Sequence, residues 1–198
     1  MNLSNLTKAT TILKEQLGDL VKVSPNELFS ASHDGLKVAG EVAACVQVEK
    51  PEEVGDVLKL ASRFEIPVTT KGSGSSLTGG ATPICGGWVL DLRKLDSLEV
   101  DEKNRVARCG PGVIVSNLQK EVQEVGLFYP PDPSSKDFCT IGGNIACNAG
   151  GLRCVKYGVT RDYVLALSGY LASGEKVTWG RATRKFATAY NVRDLWIG

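Results

Sequence analysis

The sequence has no long hydrophobic run, no excess of charge of either sign and only one histidine. Its 198 residues carry 23 Lys and Arg against 22 Asp and Glu, so the net charge is +1. A balanced sequence without blocks of one sign does not predict a nucleic-acid groove or attraction to an anionic membrane. No apolar stretch approaches the roughly 20 residues that a membrane-spanning helix needs. We therefore expect no nucleic-acid partner and no transmembrane segment.

A secretion signal and a cysteine-based metal site are also missing. The first twenty residues lack a basic segment followed by an apolar one, so we expect a cytoplasmic protein, with peripheral attachment at the inner face of the membrane left open. None of the six cysteines forms a CxxC pair, and zinc clips and iron–sulfur clusters need such close spacing. We therefore predict no metal site. The cysteines are expected to be buried as small hydrophobic residues.

The sequence does contain an ordinary globular composition and a regular alternation of helix and strand signals. Apolar residues make up 42% and charged residues 23%, which argues against disorder. Leucines at helical spacing predict an amphipathic helix over residues 1–20, and Ser24–Glu27 has the form of a capping box that opens a second helix. Strand signals at Ala43–Val48 and Pro67–Thr70 flank a helix that starts at Lys50–Glu53. This order predicts a β-α-β unit.

The later elements alternate in the same way, apart from one long segment. We predict a strand at Trp88–Leu92, a hairpin of Leu98–Val100 with Arg105–Cys109, a helix over 115–125 that Gly126 ends, and a hairpin of Tyr163–Ala172 with Glu175–Trp179. Between that helix and the last hairpin, Phe128–Gly158 has no periodicity, and we expect a loop without secondary structure of its own. Loops of such length inside a compact domain are usually functional.

The first glycine stretch, Lys71–Gly80, has the sequence KGSGSSLTGG and follows the second strand of the β-α-β unit. Its small residues leave several backbone N–H groups unobstructed, which is typical of an anion-binding nest. The lysine precedes the glycines, so the stretch is not a P-loop, and the spacing of Gly72, Gly74 and Gly79 is not the dinucleotide-binding fingerprint. A phosphate site and an exposed Gly/Ser turn both fit the pattern.

The second glycine stretch, Thr140–Gly151, has the sequence TIGGNIACNAGG and follows the rigid segment Pro130–Ser135. Small residues at nearly every other position indicate close approach of a flat ring or of another piece of backbone. Asn144 and Asn148 have amide groups that suit ring carbonyls or sugar hydroxyls, and they are equally suited to capping local backbone.

Four motifs occur in an order that resembles a known family. PVTTKGSGSSLTGG is followed by PPDPSS, by TIGGNIACNAGG and by KYGVTRDYV. Together with the strand pair that ends in GEKVTWGRATRK, they are similar to the PCMH-type FAD-binding domain of the vanillyl-alcohol oxidase flavoproteins. The resemblance covers roughly Ala43 to Gly198. It is to the branch that contains the glycolate oxidase flavin subunit, D-lactate dehydrogenase and D-2-hydroxyglutarate dehydrogenase.

That resemblance implies an α+β fold in which two α+β subdomains hold FAD between them. The implied domains are an N-terminal helical segment, 1–40, and an FAD-binding domain, 41–198, with subdomains at about 41–96 and 97–198. Residues implied to wrap the diphosphate are Lys71, Gly72, Ser73, Gly74, Ser75, Ser76, Gly79 and Gly80. Residues implied to line the flavin and its ribityl chain are Pro131, Asp132, Ser134, Thr140, Gly142, Gly143, Asn144, Ala146, Asn148 and Gly151, with Gly158 and Val159 nearby.

Three expectations about individual side chains follow from the implied site. The Lys71 ammonium either assists binding of the diphosphate or is solvated. Members that attach FAD covalently commonly carry a histidine in the first glycine stretch, and this stretch has none, so the resemblance implies non-covalent FAD. His33 is interpreted as a turn residue rather than a catalytic base. A Gly142→Val substitution is expected to occlude the flavin more than it impairs folding.

The implied activity is hydride transfer from the α-carbon of a small D-2-hydroxy acid, of the glycolate or lactate type, to flavin N5. Electrons would then pass to a quinone, a partner protein or oxygen. The family continues beyond Gly198 into a Ser-Glu-Gly-Thr type segment and a catalytic half with the base, so we expect an N-terminal part or one subunit of a split enzyme. The catalytic residues stay unassigned.

Two other interpretations stay open on the sequence. One is a non-catalytic subunit or scaffold that keeps the fold without flavin turnover. The other is an NADPH-dependent flavin reductase of the cell-wall precursor type, which shares the fold, although PPDPSS and NAGG favour the hydroxy-acid branch.

Overall fold

The helices and strands of the computed structural model follow the predicted order. The structure describes residues 3–183, 185, 187 and 190–198. The helices are α1 (Leu3–Leu17), α2 (Pro25–Ala31), α3 (Pro51–Phe64), α4 (Val115–Glu124), α5 (Ile141–Cys147) and α6 (Cys154–Tyr157). The strands are β1 (Val21–Lys22), β2 (Ala44–Gln47), β3 (Val68–Lys71), β4 (Trp88–Asp91), β5 (Leu98–Asp101), β6 (Val106–Cys109), β7 (Ala166–Tyr170) and β8 (Lys176–Gly180). The predicted α+β class is confirmed.

The described residues divide into two compact units. Unit 1 contains the described residues up to Leu95 together with Tyr170–Lys176. Unit 2 contains Asp96–Gly169 and the described residues from Val177 to Gly198. The predicted division into a segment 1–40 and a domain 41–198 stays a prediction.

Unit 1 is built on a four-stranded sheet in the order β1-β2-β4-β3. Strands β2, β4 and β3 are parallel, and β1 is antiparallel to β2. The predicted β-α-β unit is confirmed as β2-α3-β3, but β4 lies between its two strands. Because β2, β3 and β4 run in the same direction, their last residues Gln47, Lys71 and Asp91 lie at one edge of the sheet.

Helices α1 and α3 bury apolar faces in the core of unit 1. The core contains Leu13 of α1, Val57 of α3 and Trp88 of β4, and the Trp88 indole donates to Thr10 Oγ1 at 3.0 Å. Helix α3 begins at Pro51 because proline suits the first helical position. Glu53 Oε2 then accepts the N–H of Lys50 at 3.0 Å.

Unit 2 combines the β5–β6 hairpin with α4 and α5. Its core contains Val115 and Leu118 of α4, together with Cys139 and Ile141. An isolated antiparallel bridge joins Ile114 to Thr140, so the residues before α4 and α5 are held side by side. This bridge fixes where the second glycine stretch begins.

Two sequence predictions are wrong. Phe128–Gly158 is not without secondary structure, because it contains α5 and α6. Uniform burial of the cysteines is also wrong: Cys45 and Cys139 are buried, whereas Cys85 and Cys147 are exposed. Burial raises the pKa of the Cys45 thiol to about 11, so this thiol is neutral at pH 7.

Membrane and metal features were sought across the described residues. No helix in this part of the chain has both the length and the apolar character that crossing a bilayer requires. The same residues contain no group of three or more His, Cys, Asp or Glu side chains placed to hold a metal ion.

Candidate functional site

The first glycine stretch leaves the parallel sheet of unit 1 at the carboxyl end of β3. Lys71, the last residue of β3, lies opposite Asp91 of β4. Gly74 and Gly79 have φ angles of +68° and +76°, a conformation that side chains other than glycine rarely adopt. The stretch is therefore shaped by its glycines, and it lies where open α/β sheets usually bind ligands.

Most of the backbone N–H groups in this stretch have no hydrogen-bond acceptor. Within the described part of the chain, the N–H groups of Ser73, Gly74, Ser75, Gly79 and Gly80 donate to no other residue. The segment Gly72–Ser76 is half-buried, so these donors gather in a sheltered place. Several adjacent free N–H groups favour an anion with several oxygens, such as a phosphate.

The hydroxyl groups of the stretch mostly bond to one another. Ser76 Oγ and Thr78 Oγ1 lie 2.7 Å apart, and Ser76 Oγ also accepts the N–H of Thr78 at 3.2 Å. Ser73 Oγ lies 3.5 Å from Ser75 Oγ. These contacts stiffen the loop and leave its backbone donors free.

The Lys71 side chain is neither solvated nor free to donate to a ligand. Lys71 is buried, and its Nζ donates to the carbonyl oxygens of Ser30 at 2.9 Å, Ala31 at 3.3 Å and His33 at 2.5 Å. An ammonium group has three N–H donors, so all are in use. Burial lowers the Lys71 pKa, whereas the nearby Asp91 and Asp34 carboxylates raise it. Of the two expected roles, solvation is wrong, and the diphosphate would have to displace a carbonyl.

His33 contributes its carbonyl oxygen rather than its ring to this arrangement. Its imidazole packs against Phe29, with 5.2 Å between ring centroids, and Nδ1 lies 3.3 Å from Ser32 Oγ. The neighbouring Gly35 meets the first glycine stretch so closely that a Cβ there would lie 2.8 Å from the Ser76 carbonyl oxygen. The sequence analysis missed this contact, although Asp34-Gly35 is a turn signal.

In unit 2, the second glycine stretch forms α5 instead of a loop. Thr140 Oγ1 caps the helix by accepting the N–H of Gly143 at 3.4 Å. The small size of Gly142 is required by another backbone, because a Cβ there would lie 2.7 Å from Pro111 Cβ and 3.0 Å from its carbonyl oxygen. Placing the flavin over Gly142 is therefore not supported. Gly143 and Ala146 lie on the exposed face of α5.

The two asparagines of the stretch differ in how their amides are used. Asn148 ends α5 in the left-handed conformation, with φ of 46°, and its Oδ1 accepts the N–H of Arg161 at 2.9 Å. Asn144 is only 3% exposed. Its Nδ2 has no hydrogen-bond partner among the described residues. A buried amide without a partner is costly, so Asn144 is suited to donate to a bound molecule.

The proline segment and the end of the second glycine stretch are held together. Asp132 accepts the N–H of Arg153 at 3.0 Å and forms an ion pair with its side chain at 3.3 Å. Gly151 lies so close to Asp132 that a Cβ there would touch the Asp132 carboxylate. Pro131 is buried, and its carbonyl oxygen accepts from Gln119 at 2.8 Å. Ser134 is exposed.

Gly158 and Val159 have a local structural explanation. Gly158 has a φ of +86°, and the Asp162 carboxylate fills the space beside it. Asp162 Oδ2 accepts the N–H of Val159 at 2.7 Å. That N–H is thus already satisfied. A direct contact of Gly158 and Val159 with a cofactor stays a prediction.

The structure groups the predicted site residues into two sets, one in each unit. Unit 1 brings together Lys71, Gly72, Ser73, Gly74, Ser75, Ser76, Gly79 and Gly80. Unit 2 brings together Pro131, Asp132 and Gly151 through Asp132, and it places Thr140, Gly142, Gly143, Asn144, Ala146 and Asn148 on α5 and its caps. The free donors in these sets are the backbone of the first stretch and the Asn144 amide.

Comparisons with known proteins identify the family. The sequence model of the FAD binding domain matches residues 42–180. The chain is 39% identical over 197 residues to the glycolate oxidase subunit GlcD of Bacillus subtilis (strain 168), covering 94% of this chain and 42% of that protein. It is 43% identical over 176 residues to a D-lactate dehydrogenase of Anaerostipes hadrus, covering 87% and 36%. A D-2-hydroxyglutarate dehydrogenase of Stutzerimonas stutzeri (strain A1501) is 32% identical over 157 residues, with 79% and 34% covered.

Solved structures show the same fold at lower identity. An alkyldihydroxyacetonephosphate synthase superposes with a TM-score of 0.82 at 22% identity, covering 97% of this chain and 37% of that chain. A p-cresol methylhydroxylase superposes with a TM-score of 0.79 at 24% identity, covering 91% and 36%. The chain spans about two fifths of the length of the curated relatives it matches. The predicted resemblance is confirmed: this chain belongs to the FAD-binding domain family of PCMH-type flavoproteins.

Proposed function

We propose that the first glycine stretch holds the diphosphate of FAD through its backbone. The observation that carries this proposal is the set of free N–H groups of Ser73, Gly74, Ser75, Gly79 and Gly80 at the carboxyl end of β3. A diphosphate has enough oxygens to accept from all of them, and short residues let it come close. Lys71, Gly72 and Ser76 would shape this cradle without donating from their side chains.

The second glycine stretch would serve the flavin end of the cofactor. Gly143 and Ala146 give α5 an exposed face without bulky side chains, which suits a flat ring. The buried Asn144 amide would donate to a ring carbonyl or a ribityl hydroxyl. Pro131, Asp132, Ser134, Thr140, Gly142, Asn148, Gly151, Gly158 and Val159 would act by holding α5 and its flanking segments in shape.

The cofactor would be bound without a covalent bond. His33 is the only histidine of the sequence, and it lies outside both glycine stretches with its ring against Phe29. Affinity would therefore come from the backbone donors, the Asn144 amide and burial of the rings.

The whole protein would be an oxidoreductase that acts on a small D-2-hydroxy acid of the glycolate or lactate type. This proposal is supported by the names of three relatives, a glycolate oxidase subunit, a D-lactate dehydrogenase and a D-2-hydroxyglutarate dehydrogenase. When bound, FAD supplies the two-electron acceptor that oxidation of a 2-hydroxy acid to a 2-oxo acid requires. The described residues would bind and orient the cofactor, and we assign no catalytic base among them.

The partners would be an electron acceptor and further polypeptide. Two relatives are named as subunits of glycolate oxidase, which supports assembly with another chain or with the rest of the same protein. A quinone, a partner protein and oxygen are the candidate acceptors. We propose a cytoplasmic location.

Anaerobic reduction of the flavin tests the proposed activity. The whole protein that contains this chain, loaded with FAD, is mixed with glycolate, D-lactate, L-lactate or NADPH while the visible flavin absorption is followed. We expect bleaching by glycolate or D-lactate, at a rate at least about tenfold above that with L-lactate. Bleaching by NADPH alone would instead identify a reductase. FAD-loaded protein that no 2-hydroxy acid reduces would contradict the proposed activity and favour a non-catalytic subunit.

A further inference from the structure

The residues at the end of α2 contact the first glycine stretch along much of its length. We define this segment, Ser30–Leu36, as the α2 tail. Lys71 Nζ donates to carbonyl oxygens of Ser30, Ala31 and His33. These carbonyls come from the last turn of α2 and the residues after it, where helices leave carbonyl oxygens unpaired. The lysine therefore completes the end of α2 as well as the end of β3.

The same tail contacts the glycine stretch further along. A Cβ on Gly35 would lie 2.8 Å from the carbonyl oxygen of Ser76 and 3.0 Å from that of Ser75. A Cβ on Gly79 would lie 3.6 Å from Leu36 Cδ2. Asp34 shapes the turn, because its buried carboxylate accepts the N–H of Leu36 at 2.9 Å through Oδ1. The tail thus supports the loop at its beginning, middle and end.

The Lys71 side chain lies between the tail and the loop. A Cβ on Gly74 would lie 2.8 Å from Lys71 Cε, so the backbone at Gly74 rests on the aliphatic part of the lysine. A buried ammonium keeps its charge only while its hydrogen-bond partners stay in place, and removing them leaves an unpaired charge. The loop conformation and the position of the α2 tail are therefore coupled through this one side chain.

We infer that Lys71 is a positioning residue, which holds the first glycine stretch against the α2 tail in the conformation that exposes its backbone donors, and that it does not contact the diphosphate. This inference rests on the proposed role of the first stretch in binding FAD. It extends the functional part of the chain upstream of the matched residues 42–180. A lysine next to a phosphate loop would ordinarily be assigned to the phosphate as a point charge, and here its donors are already used.

Chemical labelling of lysines distinguishes the two roles without any substitution. The whole protein is treated with an acylating reagent, with FAD and after removal of FAD, and the modified lysines are identified by mass spectrometry. We expect Lys71 to be protected in both states. Lys59, whose side chain is 63% exposed, is the control and should be modified in both. Modification of Lys71 in the FAD-free protein, whether or not FAD then protects it, would overturn the inference.

A Lys71→Met variant tests the effect on the cofactor, with Lys59→Met as the matched control. If the binding-competent conformation becomes about tenfold rarer, the FAD dissociation constant rises about tenfold. The dependence of affinity on salt should be the same as in the wild type, because no charge contact with the diphosphate is lost; a phosphate ligand would reduce that dependence. An unchanged dissociation constant in a folded Lys71→Met protein, or a reduced salt dependence, would contradict the inference.

The outcomes separate this inference from the proposed function. A wild-type protein that binds no FAD would refute the proposed role of the first stretch, whereas the labelling of FAD-free protein would still report on the contact of Lys71 with the α2 tail. If Lys71→Met does not fold, the labelling of the wild type alone decides.

Discussion

Gly142 and Gly143 are neighbours in α5 but have different surroundings. A Cβ on Gly142 would meet Pro111, with 2.7 Å to its Cβ. A Cβ on Gly143 would meet only Thr140 Oγ1, at 3.3 Å. The first glycine is thus required for packing within unit 2, whereas the second leaves an open surface. Their substitution should therefore separate folding from cofactor binding.

Alanine substitution at each position gives a matched pair. Gly142→Ala should destabilise the protein by about 1–3 kcal/mol, because the new methyl group overpacks against Pro111. Gly143→Ala should leave stability unchanged or raise it by up to about 1 kcal/mol, since alanine favours the helix. It should weaken FAD binding about tenfold by placing a methyl group on the exposed face. Urea denaturation of FAD-free protein and FAD titration measure the two effects.

The account of α5 fails if this pattern is reversed. Normal stability of Gly142→Ala with lost FAD affinity would place the cofactor against Pro111, as first expected from the sequence. Unaltered FAD affinity in Gly143→Ala would remove the exposed face of α5 from the site.

At the residue scale, the sequence predicts that something approaches the glycines closely, but not what it is. The partner of Gly142 is Pro111, about thirty positions away, and the bridge of Ile114 with Thr140 brings the two segments together. The partners of Lys71 are carbonyl groups of the α2 tail, which no side-chain pattern encodes. Backbone contacts between distant segments leave little trace in a single sequence.

At the scale of elements, the amphipathic helices and the strands were predictable and α5 was not. Helices α3 and α4 have apolar residues at helical spacing, with clear start and stop signals. Helix α5 has seven residues, two of them glycine, so its intrinsic helix propensity is low. It forms because its ends are held by tertiary contacts. The position of β4 between β2 and β3 was likewise hidden, because strand order depends on long-range pairing.

The turn Thr160–Tyr163 holds the carboxyl end of α5. Thr160 is fully buried, and its N–H and Oγ1 both donate to the carbonyl oxygen of Ala149, at 3.1 and 2.6 Å. The Thr160 hydroxyl also interacts with Tyr129, whose pKa burial raises to about 12. This contact explains why the KYGVTRDYV motif lies in the domain without any direct contact to a cofactor.

Thr160→Val tests this contact, because valine keeps the shape and removes the hydroxyl. We expect a loss of about 1–3 kcal/mol in the free energy of unfolding, since a buried hydrogen bond is lost and the Tyr129 hydroxyl loses its partner. Thr178→Val, at an exposed hydroxyl pair with Ser168, is the control and should change stability by less than about 0.5 kcal/mol. Equal effects of the two substitutions in urea denaturation would argue against a special role for Thr160.

At the scale of the whole molecule, the chain carries two sets of cofactor residues, one in each unit. Unit 1 offers free backbone donors at the edge of a parallel sheet. Unit 2 offers a helix with an exposed face of small residues and a buried amide without a partner. The order of the motifs was enough to predict the family. The substrate was not predictable at the same level, because the chain spans about two fifths of its relatives.

Release of the cofactor from the whole purified protein tests the central claim, non-covalent binding of FAD by these two stretches, most directly. The protein should be yellow, and acid precipitation should leave a colourless pellet and a supernatant that contains intact FAD in a ratio of about one per chain. Flavin that stays with the precipitated polypeptide would contradict non-covalent binding. A colourless protein that also fails to bind added FAD would contradict the claim as a whole.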